Sequence, residues 1–284
     1  MKKIKGGTVA EVVTKLACQA NTIFPEPITR LIDQAIEQES SPVSKQALSA
    51  ILTNIRLAKK LSLPLCQDTG MVEVFLEVGN GVQIDLAGFN SLEEVVNKGV
   101  ASAYKENYFR CSVVDPFCRK NTGDNTPAIV HTRLVKGDRL SIKLLVKGFG
   151  SENMGKVGNL SPGSETLEIV NFIVKAVKEA GTNPCPPVLI GCGIGGTMEK
   201  ALLLAKEALL CPERIGKANP DKGLRFLERE VLRRVNKLGI GPCGLGGKTT
   251  ALAIRALSFP THIAGLPVAV NISCWALRVA STSI

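Results

Sequence analysis

Nine cysteines and two histidines stand among the 284 residues. Thiolates, imidazoles and carboxylates are the groups from which metal sites and nucleophiles are built. No Cys-x-x-Cys occurs, and His131 and His262 lie far apart, so the local ligand spacing of a zinc finger is missing. Asp68-Thr69-Gly70 has the form of the aspartic-protease triplet, whose chemistry needs two carboxylates sharing one proton. The chain has no second Asp-Thr-Gly or Asp-Ser-Gly, and the default reading is an Asx turn ahead of a strand. Gly244-Leu245-Gly246-Gly247-Lys248-Thr249-Thr250 looks like a phosphate loop, but the Walker pattern needs glycine where Pro242 stands. What remains is a tight glycine turn whose backbone amides and Lys248 face an anion. Gly191, Gly193 and Gly196 satisfy the dinucleotide fingerprint. Only a short strand precedes them, however, and no strand with an acidic end follows. The other reading is a glycine turn that permits close packing.

Six segments, each weak alone, occur together in one order. They are Leu65-Cys66-Gln67-Asp68-Thr69-Gly70; Asn121-Thr122-Gly123-Asp124-Asn125-Thr126-Pro127-Ala128; Lys147-Gly148-Phe149-Gly150-Ser151-Glu152-Asn153; Cys185-Pro186-Pro187 with the glycines at 191–196; residues 244–250; and Thr261-His262-Ile263-Ala264-Gly265-Leu266-Pro267. Over about residues 10–280 the chain resembles the α subunit of class I, iron–sulfur fumarate hydratases and of the closely similar L(+)-tartrate dehydratases.

That resemblance implies a [4Fe–4S] cluster held by Cys66, Cys185 and Cys274, with one iron open to substrate. It leaves Cys18, Cys111, Cys118, Cys192, Cys211 and Cys243 as small buried hydrophobes, with Cys192 and Cys243 in glycine loops near the expected site. It implies reversible hydration of fumarate to malate, a step of the tricarboxylic acid cycle. The alternative is dehydration of L(+)-tartrate to oxaloacetate. Asp68 would join the proton relay, together with a threonine from the second half of the enzyme. His262 would be a second catalytic residue, the other reading being a capped turn residue. Arg110 would hold a substrate carboxylate, the other reading being a solvated surface cation. Gln67 and the backbone of Gly148 and Gly150 would touch substrate, whereas Asn121, Thr122 and Asp124 fit structural turns. The family's remaining part, about 200 residues and so one domain in size, is expected on a separate β subunit, in an α2β2 heterotetramer or a related oligomer.

The elements that must position these residues follow from periodicity. Apolar residues at three-to-four spacing predict helices over 9–16, 28–36 and 43–61, with Pro42 suited to a first helical turn. Residues 71–78 predict a strand. Ser91-Leu92-Glu93-Glu94 predicts a capping box ahead of a helix reaching about Tyr104. Residues 127–135 and 139–146 predict a hairpin joined by Lys136-Gly137-Asp138. A helix over 165–180 stopped by Gly181, a short buried strand at 188–190, helices over 196–210 and 224–238, and terminal strands complete the reading. Helices lead, strands pair locally, and no clean βαβ rhythm is visible. The expected class is α+β, a mixed sheet with helices packed around it, in a single domain spanning 1–284 with a helical part over about 8–61.

Composition narrows the partners. With 45% hydrophobic and 21% charged residues, the chain can bury a core and is not disordered. The excess of 35 Lys and Arg over 25 Asp and Glu gives +10 and raises nucleic acid, a membrane surface or a small dianion as partners. At 4% aromatic residues a base-stacking platform is poorly supplied, so a cysteine-rich nucleic-acid-binding regulator ranks below the enzyme. A zinc-binding structural protein ranks third. The N-terminal Lys-rich stretch has no apolar run behind it, and the uncharged 256–277 stretch suits buried strands better than a bilayer span. The expectation is a cytoplasmic protein with reduced thiols, bound neither to membrane nor to nucleic acid.

Overall fold

The computed structural model describes residues 2–284. Its elements run β1 (Lys2–Lys5), α1 (Gly6–Thr22), α2 (Glu26–Gln38), α3 (Pro42–Leu61), β2 (Met71–Gly79), β3 (Val82–Asp85), α4 (Leu92–Glu106), β4 (Ile129–Val135), β5 (Leu140–Lys147), α5 (Phe149–Glu152) and β6 (Lys156–Leu160). They continue with α6 (Thr166–Ala180), β7 (Val188–Gly195), α7 (Met198–Glu207), α8 (Lys222–Asn236), β8 (Ala251–Phe259), β9 (Leu266–Ser273) and β10 (Arg278–Ser283). Helices and mixed sheets alternate, which is the α+β class expected from the sequence. The chain divides into two compact units. The first holds Met1–Phe24, Ile55–Phe149 and Arg278–Ile284; the second holds Pro25–Asn54 and Gly150–Leu277.

In the first unit a four-stranded sheet runs β10-β5-β2-β4. The apolar stripes of α1 (Val9, Val13, Leu16, Ala17, Ala20) and α4 (Val95, Val96, Val100, Ala103) pack on it through Val72, Val74, Leu76, Ile142 and Leu144. Ser91 caps α4 by accepting from the Glu94 amide at 3.2 Å, and the Glu94 carboxylate reaches back to the Asn90 amide, one residue ahead of the expected box.

The predicted hairpin is wrong in its pairing. β4 and β5 both form, but β2 lies between them, parallel to β4 and antiparallel to β5. The reason is burial: Val72 through Leu76 are all buried, so both edges of β2 must find ladder partners rather than water. The link at 136–138 spans two strand spacings, about 9.6 Å, which three residues can reach. It arches over the end of β2, with Gly79 donating to Arg139 O and Gly81 to Gly137 O.

In the second unit the sheet runs β6-β9-β7-β8. The 191–196 glycines are not a turn: β7 extends through them to Gly195, and all eight of its residues are buried. Ile190, Cys192 and Ile194 face the core made with α6 and α8. On the opposite face, a Cβ at Gly191 or Gly193 would strike the carbonyl oxygens of Ala205 and Ala201 on α7. These glycines serve close helix–strand packing, as one reading of the sequence allowed, but from within a strand and not as a dinucleotide loop. β7 and β8 are parallel across α7 and α8, as β2 and β4 are across α4. Two crossover units therefore exist where the sequence showed no βαβ rhythm. Among the described residues no helix is long and apolar enough to cross a membrane.

Candidate active site

In the first unit the segment between α3 and β2 carries Cys66, Gln67 and Asp68. Leu65 N donates to Asn21 O at 2.8 Å, tying its start to the end of α1. Gly70 closes it with φ 65°, and a Cβ there would collide with the Lys147 carbonyl, so only glycine allows β2 to begin beside β5.

Asp68 forms the expected Asx turn, its Oδ1 accepting from Gly70 N at 3.0 Å. Its Oδ2 accepts from Phe149 N at 2.9 Å. Both carboxylate oxygens thus hold backbone amides, while the residue stays half-buried. Three side chains grip successive carbonyls of the same segment. Arg278 Nη1 donates to Asp68 O at 2.6 Å, the Tyr104 hydroxyl donates to Thr69 O, and Asn125 Nδ2 donates to Gly70 O at 3.0 Å. Burial drives the Tyr104 hydroxyl up to about 12, so it remains a donor at any physiological pH.

Gln67 and Arg110 are exposed beside this frame and meet each other, Arg110 Nη1 donating to Gln67 Oε1 at 2.8 Å. Thr69 Oγ1 donates to Arg110 O at 2.5 Å, which fixes the arginine's backbone. The structure therefore brings Gln67, Asp68 and Arg110 together, with Gly148 next to Asp68. Asn121 and Asp124 are turn residues: Asn121 Oδ1 accepts from Gly123 N, and Asp124 Oδ1 accepts from Thr126 N and Oγ1.

Three further candidates lie on loops of the second unit. Cys185 is exposed at φ 53°, with its amide donating to Thr182 O. Cys274 is half-buried directly after β9, and its thiol donates to Ala276 O at 3.8 Å. His262 sits exposed in the turn between β8 and β9, where its Nδ1 accepts from Ala264 N at 3.2 Å. That bond assigns the proton of the neutral ring to Nε2. Gly150 is exposed in α5.

None of the nine cysteines forms a disulfide. The picture of six small buried hydrophobes holds fully for Cys192 alone. Cys118 and Cys243 are exposed, and Cys18, Cys111 and Cys211 are half-buried. Cys66, Cys185 and Cys274 offer thiols on loops, a donor chemistry that fits an iron–sulfur cluster. Among the described residues no group of three or more His, Cys, Asp or Glu side chains is gathered to hold a metal ion.

The phosphate-loop look-alike at 244–250 does face an anion, and the chain supplies it. Glu39, at the end of α2 and 3% exposed, accepts from Ser40 N, Ser41 N and Lys248 N at 2.9, 3.1 and 2.8 Å, and also from the Thr249 amide. Burial pushes its carboxyl up, but the four amides outweigh burial and hold it below the ordinary carboxylate range. Lys248 Nζ turns to Gln38 O at 3.2 Å.

Arg278, Tyr104, Asn125 and Glu39 had no assigned role in the sequence reading. A lone arginine inside the apolar Leu277–Val279 stretch was the one available signal.

The fumarate hydratase (Fumerase) family profile matches residues 10–283. A putative L(+)-tartrate dehydratase subunit alpha of Methanocaldococcus jannaschii is 40% identical over 275 residues, covering 95% of this chain and 95% of the relative. The L(+)-tartrate dehydratase subunit alpha of Escherichia coli K12 and that of Shigella sonnei are each 30% identical over 274 residues, covering 95% of this chain and 88% of the relative. A match across nearly the whole chain makes this protein a member of the fumarate hydratase (Fumerase) family.

Proposed function

We propose that the chain is the α subunit of a hydro-lyase that adds water reversibly to a four-carbon dicarboxylate, with fumarate and malate as the first pair. The observation that carries this reading is the half-buried Asp68 carboxylate, fixed by two amides beside the exposed Gln67–Arg110 pair. Elimination of water requires a base aimed at a weakly acidic C–H, and a carboxylate held in one direction suits that task. Arg110 and Gln67 present a cation and an amide, the groups that bind a substrate carboxylate. His262 adds a second proton-transfer group, and the Gly148 and Gly150 backbone lines the substrate.

Cys66, Cys185 and Cys274 would hold a [4Fe–4S] cluster. When bound, it would supply a Lewis acid that polarises the leaving hydroxyl. The remaining cations and the threonine are assigned to a separate β subunit, a division supported by relatives named as α subunits. The whole chain then works as one α-subunit domain, in the cytoplasm, within a heteromer such as α2β2. A second reading, L(+)-tartrate as substrate, is favoured by the names of those relatives. Both reactions remove water from adjacent carbons of a 2-hydroxy dicarboxylate, so one frame serves either.

The test is anaerobic reconstitution of this chain with and without its β-type partner, followed by assay of fumarate hydration and L(+)-tartrate dehydration. The expected result is about four irons per chain, negligible turnover alone, and turnover of one substrate on mixing. Cys66→Ala, Cys185→Ala and Cys274→Ala should each abolish iron binding, whereas Cys18→Ser and Cys211→Ser should not. Robust turnover by the chain alone, or full iron content in any of the three ligand variants, would overturn the assignment.

A further inference from the structure

Arg278 is 1% exposed, and a guanidinium is among the most expensive groups to bury. Its acceptors are few. Nη1 donates to Asp68 O at 2.6 Å and to Asn21 Oδ1 at 3.3 Å, while Nε has no hydrogen-bond partner among the described residues. The fold accepts that cost at one place, directly behind the Asp68 segment.

Gly148 reports how close the guanidinium and the carboxylate come. A Cβ built there would stand 3.0 Å from Arg278 Nη2 and 3.0 Å from Asp68 Oδ2. Nη2 and the carboxylate oxygen therefore flank one Cα, and only glycine leaves both undisturbed. The next amide in the chain, Phe149 N, is the one that holds Asp68 Oδ2.

We propose that Arg278 is a positioning residue for Asp68. From behind, its guanidinium fixes the Asp68 carbonyl and opposes the carboxylate with a buried positive charge, while Gly148 keeps the space between them open. The inference rests on Asp68 acting in proton transfer. It reassigns Gly148 in part, from substrate contact to spacer. Both bonds leave Nη1, so a lysine at 278 could supply the charge and a donor, but it has no second nitrogen for the Nη2 position beside Gly148.

The amides of Gly70 and Phe149 bind the two carboxylate oxygens, so their hydrogen exchange reads the placement of Asp68 without any cluster or partner. In the full-length chain, Arg278→Ala should speed exchange at both amides by on the order of tenfold. Amides of β7, in the other unit, should keep their protection. Gly148→Ala, which retains the arginine, should do the same. In the reconstituted complex, Arg278→Ala should lower kcat by about 10²-fold, the scale of a misplaced catalytic group, with KM within about threefold. Added guanidinium should restore part of the loss, and Arg278→Lys should retain more activity than Arg278→Ala. Unchanged exchange at Gly70 and Phe149 in both variants would overturn the proposal. So would a rise in KM with kcat intact, which would place Arg278 in substrate binding. If the wild-type complex turns over neither fumarate nor tartrate, the functional reading fails, and the exchange measurement still decides the role of Arg278.

Discussion

Two irregular segments, one in each compact unit, are held by different side chains, donors on three carbonyls of one and a carboxylate on two amides of the other. The 66–70 segment is gripped through its carbonyls by Arg278, Tyr104 and Asn125. The 244–250 segment is gripped through its amides by one carboxylate, Glu39. Fixing carbonyls from behind leaves the Asp68 side chain half-buried, with Gln67 and Arg110 exposed beside it. Fixing amides fills the nest that a glycine-rich loop would otherwise offer to a phosphate or carboxylate ligand. A carboxylate of the chain's own, seated on the Lys248 and Thr249 amides, thus separates a segment that only resembles an anion site from one whose own carboxylate stands half-buried.

The sharpest way to break that contrast is Asp68→Asn. It should lower kcat of the reconstituted enzyme by about 10²-fold or more. The amide side chain can accept from Gly70 N or Phe149 N through its one oxygen but not from both. Unimpaired turnover in a steady-state assay would remove Asp68 from proton transfer.

Glu39→Ala should act on stability rather than on proton transfer. It strands four backbone donors, and each unsatisfied buried group costs about 1–3 kcal/mol. With partial hydration, denaturant unfolding should show a loss of about 3 kcal/mol near neutral pH. The sign with pH follows from the depressed carboxyl. Its contribution is complete above the unfolded value of 4.5 and is lost as pH falls through the lower folded value. The gap between wild type and variant should therefore shrink below about pH 4.5. A gap that is independent of pH would mean that the charge of Glu39 is not what holds the loop.

Tyr104→Phe removes one of three grips on the 66–70 carbonyls and should cost about 1–2 kcal/mol. It should also loosen the Asp68 segment enough to lower kcat severalfold. Equal kcat would show that the remaining two donors suffice. The smallest effect belongs to Lys248→Ala. Its exposed ammonium meets the Gln38 carbonyl, so stability should change by about 0.5 kcal/mol or less. Phosphate and nucleotides should bind neither form in calorimetry, and saturable nucleotide binding lost in the variant would restore the phosphate-loop reading.

Much of the fold is readable along the chain because the signals are local. The stripes of α1, α2 and α3, the cap at Ser91 and the stop at Gly181 all use groups within a few residues. Strand partners are not local. The alternation over 127–146 identifies two strands, yet a buried β2 inserted between them depends on residues more than fifty positions earlier. β1 and β6 escape because runs of four and five residues carry no period of their own. The glycines of β7 mislead for a related reason: turn and strand are distinguished only by the presence of α7 against their missing side chains.

By itself the sequence determined the helices, the class of fold and, through ordered motifs, the membership of a family. Each of these depends on residue type and short spacing. Tertiary structure alone decided that Glu39 occupies the glycine loop and that Arg278 stands behind Asp68. It also decided that Gly148 must lack a side chain. Those outcomes join positions some 130 to 210 residues apart, with the exception of Gly148, which lies 80 residues from Asp68. They turn on which buried charge finds which buried amide or carbonyl once water is excluded. No pattern along the chain encodes that, because a desolvated group selects its partner by position in space.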